Sequence, residues 1–325
     1  WPLHLDAKWE VRDPPGGRAL VHSVARLDYD GVQEDFHNGV EHPSIHLLPE
    51  VGKLRQQSSL RRAAINLRLP SVRVVEDAGA FELVIEPRHP VMDYNSEISL
   101  LTGMVAGSMM VEAGVGFLRT LGPAPRDAEA DFRREARNLG YEVTGGIGEF
   151  LAGVDADTPT GMAVMREAQK LLRGSGYVDL REKQPEVHAG IGGYYSHVTA
   201  PLRRLVDRYA TEVCLAICGG YDIPAWVYDD APEVMATMAR TSQLANTVDR
   251  AALNLTEATV LEPWVGHNFG GIVLKRGEDR DRIFVTQPPV LAPSIGAPSE
   301  GTEAMFSLIR AEPAARQVEF AWPAD

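Results

Sequence analysis

Hydrophobic residues recur with the period of an α-helix over residues 201–219, where they occupy every third or fourth position. Pro201 suits the first turn of such a helix, because proline lacks the backbone N–H that a first turn leaves unpaired. Gly140 suits the end of another helix, since glycine readily adopts the left-handed conformation of a C-terminus. The same periodicity predicts helices over residues 44–63, 96–114, 127–140, 160–173 and 233–262.

Alternation of hydrophobic and polar residues predicts β-strands at both ends of the chain. Within residues 1–30 we expect two strands, LHLDAKWEV and ALVHSVARLDY, around the turn sequence DPPGG. A hairpin is expected where VRVVED and FELVIEP flank Ala78–Gly79. After Pro263 the pattern is that of a small β-barrel, with the short strands FGGIVLKR, DRIFVTQ, AMFSLIRAE and QVEFAW. A domain boundary near residue 263 follows.

The composition is that of an ordinary soluble protein, with 44% hydrophobic and 24% charged residues. Apolar runs are shorter than a membrane span and no signal peptide opens the chain, so we expect a cytoplasmic protein without a membrane partner. Cys214 and Cys218 lack partners at zinc-site spacing, which favours buried core thiols. The chain begins in strand-like alternation without an initiator methionine, and we expect natural sequence upstream of Trp1.

The net charge of −13 argues against a protein whose whole surface is basic and binds nucleic acid. A polyanion would need a local basic channel. Two clusters of basic residues are candidate walls: Lys53, Arg55, Arg61, Arg62 and Arg68, and then Arg203, Arg204 and Arg208. Solvated faces of an arginine-rich protein explain these residues equally well, so the counts alone leave both interpretations open.

The second basic cluster is placed where cations are disfavoured. Helix N-termini carry partial positive charge and unpaired N–H groups, so Arg203 and Arg204 at the predicted helix start indicate a bound anion. Backbone N–H groups and guanidinium groups together form a phosphate cradle. Asp207 lies four residues after Arg203 and is expected to hold its guanidinium in place. The alternative is a surface arginine–aspartate pair.

The segment from Tyr195 to Asp207, YSHVTAPLRRLVD, resembles the Y-x-H-F-T-S-P-[IL]-R-R-Y-x-D segment of the RNB catalytic domain in the RNase II family. Three further segments are similar to that family in the same order: RLDYDGVQ, HAGIGG and TVDRAALNLTEATVL. The resemblance runs over about residues 10–262 and continues where such proteins carry an OB-type barrel. It implies an α+β fold, with an RNB-like ribonuclease domain over residues 1–262 and an OB-type β-barrel over residues 263–325.

The resemblance implies a monomeric 3′-to-5′ hydrolytic exoribonuclease that acts on single-stranded RNA, not DNA, and releases nucleoside 5′-monophosphates. Arg203 would contact the scissile phosphate, and Asp249 would act near the 3′ end, where the family usually has Glu. Tyr29 would present its ring to the terminal nucleotide, while His197 would be structural. The residues expected to contact RNA are Tyr29, Glu97, Tyr195, Arg204 and Arg250, with Arg204 alternatively paired within the protein.

The family chemistry implies Mg²⁺ bound by a cluster of aspartates, which we expect upstream of residue 1. The acidic runs at residues 155–158, 229–230 and 278–281 suit turns or helix caps, so we assign no metal ligand in this chain. The main alternative is a non-catalytic RNA-binding member of the family. A remote third is a small-molecule α/β enzyme whose Arg203 binds a phosphorylated metabolite.

Overall fold

The computed structural model describes residues 4–5, 11–12, 16–40, 42–61, 64–69, 72–77, 79–85 and 88–323. These form two compact units. The first comprises residues 1–66, 89–123 and 172–241, and the second comprises residues 67–88, 124–171 and 242–325. No helix within the described ranges has both the length and the apolar character needed to cross a membrane.

Helices account for most of the regular structure outside the C-terminal part of the chain. The α-helices described are α1 (Tyr29–His37), α2 (Leu48–Arg61), α3 (Pro90–Ala113), α4 (Arg126–Asn138), α5 (Ile147–Gly153), α6 (Pro159–Ala168), α7 (Leu205–Gly219), α8 (Ala225–Asp229) and α9 (Ala231–Leu261). Short 3₁₀ helices follow α6 at Gln169–Leu172 and α9 at Glu262–Trp264. Every helix predicted from the hydrophobic period is therefore present, with shifted ends.

The strands form separate small sheets and one barrel. They are β1 (His4–Leu5), β2 (Val11–Arg12), β3 (Val72–Asp77), β4 (Ala80–Ile85), β5 (Phe117–Thr120), β6 (Gly176–Asp179), β7 (Asn268–Lys275), β8 (Asp281–Thr286), β9 (Pro289–Ile295), β10 (Glu303–Glu312) and β11 (Gln317–Ala321). The pairs β1–β2, β3–β4 and β5–β6 are each antiparallel. The predicted hairpin is thus confirmed as β3–β4, with Val74 opposite Leu83.

The prediction of a second strand before residue 30 is wrong. Residues 16–28 form no strand, and helix α1 begins at Tyr29. The Asp28 side chain accepts a hydrogen bond from the Gly31 N–H at 2.8 Å and caps the helix. Helix capping therefore decides the structure at this point, in spite of the alternating pattern that favours a strand. Of the first predicted strand, only β1 and β2 lie within the described residues.

Helix α7 begins at Leu205, four residues later than predicted. Residues 201–203 form a turn instead, and the N–H groups of Arg203 and Arg204 both bond the Ala200 carbonyl, at 3.2 and 2.9 Å. The arginines therefore precede the helix rather than occupy its first turn.

The core of the first unit lies between α3 and α7, which pack against each other. Its fully buried side chains include Met110 of α3 and Val206, Val213 and Cys214 of α7. Burial raises the pKa of the Cys214 thiol to about 12, so the predicted core thiol is confirmed for this residue.

The barrel predicted near the C-terminus is confirmed as a closed five-stranded barrel in the order β10-β11-β9-β8-β7. Its interior contains Ile283, Phe306 and Phe320, all fully buried. Strand β9 was missed because Pro289 and Pro293 indicate a turn. It nevertheless pairs antiparallel with β8 and parallel with β11.

Two partly buried ionisable residues, Arg166 and Glu257, lie in the second unit beside the barrel. The Arg166 guanidinium of α6 stacks 4.7 Å from the ring centroid of Phe284. Burial raises the pKa of Glu257, on α9, to about 7, although the positive charge of Arg166 opposes this shift. The folded protein thus binds a proton at Glu257 more tightly than the unfolded chain does.

We predict that Glu257→Gln alters the pH dependence of stability. Because the carboxyl pKa is raised from 4.5 to about 7 on folding, its stabilising contribution is complete below the unfolded pKa and is lost as pH rises through 7. Glutamine does not ionise, so the variant should gain about 2 kcal/mol in unfolding free energy relative to wild type between about pH 5 and pH 8. Urea denaturation across this range measures the difference.

The exposed Glu262→Gln is the matched control and should follow the wild-type curve. Parallel pH curves for wild type and Glu257→Gln would show that Glu257 is ionised throughout the range.

Candidate functional site

The arginine turn, residues 199–204, is held by Asp207 of α7. Asp207 is fully buried, and its Oδ1 accepts hydrogen bonds from the Ala200 N–H at 2.7 Å and from Nη2 of Arg204 at 2.8 Å. The expectation that Asp207 fixes Arg203 is therefore wrong, because its partner is Arg204. The carboxylate also lies in the first turn of the helix, where negative charge is favourable.

Arg203 is the cation that this turn presents to solvent. Its side chain is exposed, and no carboxylate or carbonyl of the described residues pairs with its guanidinium. Arg204 instead has a side chain only 18% exposed and bound to Asp207, as the alternative for that residue anticipated. Of the two adjacent arginines, Arg203 alone has its fork of donors available for an external anion.

A cluster of aromatic rings precedes the arginine turn in the first unit. The hydroxyl of Tyr177 lies 2.7 Å from Nδ1 of His197, and the two rings meet edge to face. Tyr195 contacts His197 and His188 with ring centroids 5.4 and 6.0 Å apart. Arg119 places its guanidinium 4.7 Å from the centroid of Tyr177. The cluster forms a rigid support of packed rings and one hydrogen bond.

Both histidines of this cluster are neutral near pH 7. Burial and then the charges of Arg204 and Arg119 lower the pKa of His197 to about 3. Burial followed by the charge of Arg119 lowers the pKa of His188 to about 4. These imidazoles therefore serve as packing and hydrogen-bonding groups, which agrees with the structural role expected for His197.

Tyr195 lies in the interior, 8% exposed, against helix α3. A Cβ on Gly103 would stand 2.2 Å from Cε2 of Tyr195, so only glycine permits this approach. The Ser196 N–H bonds the Gly103 carbonyl at 2.9 Å, and the Arg119 N–H bonds the Tyr195 carbonyl at 2.8 Å. The structure thus places Tyr195 where it anchors the segment before the arginine turn, and its contact with RNA stays a prediction.

Tyr29 borders an open, mainly apolar pocket of ≈ 330 Å³. The ring is 43% exposed, and its hydroxyl accepts a hydrogen bond from Nδ2 of Asn95 at 2.9 Å. A second contact joins Asp30 Oδ1 of α1 to Nε2 of His89, the residue that precedes α3, at 2.9 Å. The apolar walls are formed by Leu27, Val32, Ile45, Leu48 and Val91. A fixed, half-exposed ring beside an apolar pocket suits stacking with a flat ligand.

Glu97 is buried rather than open to a ribose. Its Oε2 lies 3.9 Å from Nε of Arg55, which is itself 1% exposed, so these groups form an interior ion pair between α2 and α3. Arg68 donates to the carbonyls of Leu151 and Ala152 in the second unit. Arg55 and Arg68 are therefore structural and not walls of a channel. The predictions for the side chains of Arg61 and Arg62 fall outside the described residues.

Asp249 and Arg250 lie on α9 in the second unit, and both are exposed. The remaining predicted residues belong to the first unit, where Tyr195, Arg203 and Arg204 share the chain segment around the aromatic cluster and the arginine turn.

Aspartates of two acidic runs accept N–H groups of their own turns, whereas Asp230 bonds a residue of α7, so the expectation of turns and caps holds for residues 155–158 and 278–281 only. Asp155 accepts from the Asp157 N–H at 3.0 Å, Asp230 accepts from the Tyr209 hydroxyl at 3.0 Å, and Asp281 accepts from Nε of Arg276 at 2.9 Å. No group of three or more His, Cys, Asp or Glu side chains within the described ranges could hold a metal ion. These residues therefore do not fit a Mg²⁺ site of their own.

Sequence analysis missed Arg119, Tyr177 and His188. They come from segments far apart in the chain, and only the pairing of β5 with β6 and the folding back of residues 188–197 bring them together. The available signal was weak: an arginine in the apolar strand FLRT.

Two family profiles match the chain. The one described as RNB domain matches residues 2–217, and the one described as RNase II-type exonuclease C-terminal S1 domain matches residues 267–322. A comparison with curated protein sequences gave no match.

The fold is similar to solved structures of larger proteins, two exoribonucleases and one pseudonuclease. RNase R of Mycoplasma genitalium in complex with ribose-methylated single-stranded RNA has a TM-score of 0.77 at 12% identity, over 90% of this chain and 52% of that one. The Dss1 exoribonuclease from Candida glabrata has a TM-score of 0.66 at 14% identity, over 89% of this chain and 37% of that one. Yeast Ssd1, a pseudonuclease, has a TM-score of 0.59 at 14% identity, over 86% of this chain and 36% of that one.

The chain thus spans about half the length of the RNase R that it resembles. The RNB profile covers residues 2–217 of the 325, the S1 profile coincides with the closed barrel, and the folds agree over most of the chain. This protein belongs to the RNB family of RNase II-type ribonucleases.

Proposed function

We propose that this protein is a 3′-to-5′ hydrolytic exoribonuclease that acts on single-stranded RNA and releases nucleoside 5′-monophosphates. One observation carries the proposal. Arg203 is exposed and has no carboxylate partner among the described residues, yet it lies on a turn that Asp207 holds by two hydrogen bonds. The structures of M. genitalium RNase R include complexes with single-stranded and with double-stranded RNA, so the preference for single strands is part of the proposal.

The role of Arg203 is to bind oxygens of the scissile phosphate. A planar guanidinium offers paired donors that match two phosphate oxygens and fix the orientation of the group. Because the turn is already ordered, little reorganisation is needed as negative charge develops during hydrolysis. Neutral His197 does not exchange protons with the substrate in this scheme.

The role of Tyr29 is to stack on a base. Its ring is held by Asn95 at the border of an apolar pocket, and every base has a face that can stack on such a ring. Stacking does not depend on base identity, which suits an enzyme that degrades RNA of any sequence.

Mg²⁺ would polarise the phosphate and supply hydroxide in a family member that binds it. The described residues do not fit such a site, so no step here depends on the metal, and the aspartates expected upstream of residue 1 stay a prediction. The cytoplasmic location, the monomeric state, the exclusion of DNA and the domain boundary near residue 263 also stay predictions.

The second candidate is a non-catalytic RNA-binding protein of the same family. It is favoured by the lack of a metal-binding carboxylate group in the described part of the chain and by the similarity to yeast Ssd1, a pseudonuclease. This candidate keeps the roles of Tyr29 and Arg203 in binding and removes the chemistry.

We predict that Arg203→Lys slows RNA cleavage by roughly 10²-fold or more, because one donor to the developing charge is lost. RNA affinity should change little, since lysine keeps the positive charge. The assay follows shortening of a 5′-labelled single-stranded RNA by the natural protein, including any sequence that precedes residue 1. The matched control is Arg208→Lys, an exposed arginine on α7 outside the arginine turn.

The same assay tests the proposed function itself. The wild type should shorten RNA stepwise from the 3′ end, and EDTA should stop cleavage. RNA binding without cleavage in the presence of Mg²⁺ would establish the second candidate, and equal cleavage by Arg203→Lys would remove Arg203 from the chemistry.

We predict that Asp207→Asn lowers kcat more than it raises KM. Asparagine cannot neutralise Arg204, and loss of one partner of a buried ion pair costs roughly 2 kcal/mol or more in folding free energy. At a temperature where the variant stays folded, RNA should still bind, but a looser turn should orient Arg203 poorly. Steady-state kinetics measure this, with the exposed Asp222→Asn as control. A proportional loss of folded protein at constant kcat would show that Asp207 acts on stability alone.

We predict that Tyr29→Ala weakens RNA binding by about 1–3 kcal/mol, the range for loss of one stacked base. Tyr29→Phe removes the hydrogen bond from Asn95 but keeps the ring, so its affinity should remain close to wild type. Fluorescence anisotropy with a labelled oligoribonucleotide measures both. If alanine and phenylalanine weaken binding equally, the hydroxyl and not the ring is the binding group.

A further inference from the structure

Two buried carboxyl groups lie against one lysine in the second unit. Glu135 of α4 is 4% exposed and Glu167 of α6 is 3% exposed. The Lys170 amine contacts Oε2 of Glu135 at 3.1 Å and also contacts Oε2 of Glu167. The two carboxyl groups are hydrogen-bonded to each other as well. These two glutamates, the carboxyl pair, join α4 to α6.

The hydrogen bond within the carboxyl pair requires a proton. An ionised carboxylate only accepts hydrogen bonds, so two ionised groups cannot bond each other. If both were ionised, two negative charges would lie in the interior beside a single ammonium group, and buried like charges at such a distance repel each other. With one proton on the carboxyl pair, the pair and Lys170 together are neutral.

The surrounding charges favour a proton on Glu135 rather than on Glu167. Burial, followed by the hydrogen bond and the negative charge of Glu167, raises the pKa of Glu135 to about 7, although Lys170 acts in the opposite direction. Burial also acts to raise the pKa of Glu167. There, however, the hydrogen bonds to Glu135 and Lys170 and the positive charges of Lys170 and of Arg282 on β8 outweigh burial, and that pKa is lowered.

The carboxyl pair joins two helices that contact the barrel or its loops. At the end of α4, the Asn138 side chain donates a hydrogen bond to Oε2 of Glu300, which lies before β10. Gly301 packs so closely on the Asn138 carbonyl that a Cβ would clash with it. The exposed Arg134 of α4 lies within electrostatic range of both Glu135 and Glu300. Because α6 packs against β7, the contact between α4 and α6 fixes two supports of the barrel relative to each other.

We propose that the carboxyl pair shares one proton and forms a pH-sensitive contact, which holds α4 against α6 more firmly in acidic than in basic solution. A group whose pKa is raised on folding stabilises fully below its unfolded pKa, and this stability is lost as pH rises through the folded value. For Glu135 the loss extends from pH 4.5 to about 7 and is complete above it. Glu167 adds nothing in this range, because its pKa is lowered. The device lies outside the candidate site and is independent of the proposed function.

The test is Glu135→Gln, compared with wild type by hydrogen exchange of the α4 amides from about pH 5 to pH 7, with correction for intrinsic exchange. Glutamine has the shape of a protonated glutamate, since its N–H can donate to Glu167 and its oxygen can accept from Lys170. The ratio of the wild-type to the variant opening constant should rise roughly 30-fold over this range, because only wild type loses a proton from residue 135. The contribution of Glu257 is common to both proteins and cancels in the ratio.

The exposed Glu142→Gln, in the same unit, is the matched control and should show the pH dependence of wild type. A constant ratio between wild type and Glu135→Gln would show that Glu135 is ionised throughout the range, and it would overturn the shared proton. An equal change in the amides of α7, in the first unit, would show that the whole protein opens, and it would overturn the local contact between α4 and α6.

A second variant, Lys170→Met, tests the ammonium group. Its removal leaves the carboxyl pair without a cation that lowers the pKa of Glu135, so the wild-type change should move to higher pH. An unchanged midpoint would overturn the role of Lys170. Neither measurement uses RNA, so their outcomes are separate from those that test the proposed function.

Discussion

The hydrogen bonds of the Asp207 carboxylate are the interaction on which the candidate site depends. A fully buried carboxylate is costly unless it is paired, and here one oxygen receives both a backbone N–H and the guanidinium of Arg204. These two hydrogen bonds offset the desolvation cost of the buried charge, and they also tie the turn to α7. Asp207 binds Arg204, which is largely buried, so that Arg203 is the exposed one of the two adjacent arginines.

The position of the arginine turn depends on close packing of the backbone before it against helix α3. Gly103 and Gly107 of α3 let the segment around Tyr195 approach the helix, and a Cβ on either would stand under 3 Å from that segment. Ser196 then bonds α3 through its N–H and β5 through its hydroxyl, which donates to the Phe117 carbonyl at 2.7 Å. Aromatic rings, small residues and strand hydrogen bonds together fix the segment that precedes the arginine turn.

Most of the fold could be predicted from local sequence, whereas much of the site could not. The helical period identified α3, α7 and α9, and alternation identified the barrel apart from the proline-containing β9. The start of α7 was misplaced because the side chain of Asp207 bonds a residue seven positions earlier, which periodicity does not report. Tyr195 and Glu97 were expected to face a ligand, but their burial depends on α3 and on Arg55, residues far away in the sequence. The motif located the arginines; only tertiary contacts show which one is available.

The neutral histidines of the aromatic cluster have a consequence for the electric field at the arginine turn. With the pKa of His197 at about 3 and that of His188 at about 4, neither imidazole gains charge in the range where cells operate. The positive potential at the turn is then set by guanidinium groups, which do not lose their protons in proteins. The attraction for a phosphate at this point is therefore constant from mildly acidic to mildly basic conditions. Any pH dependence of phosphate binding at this turn therefore reports groups other than these two histidines.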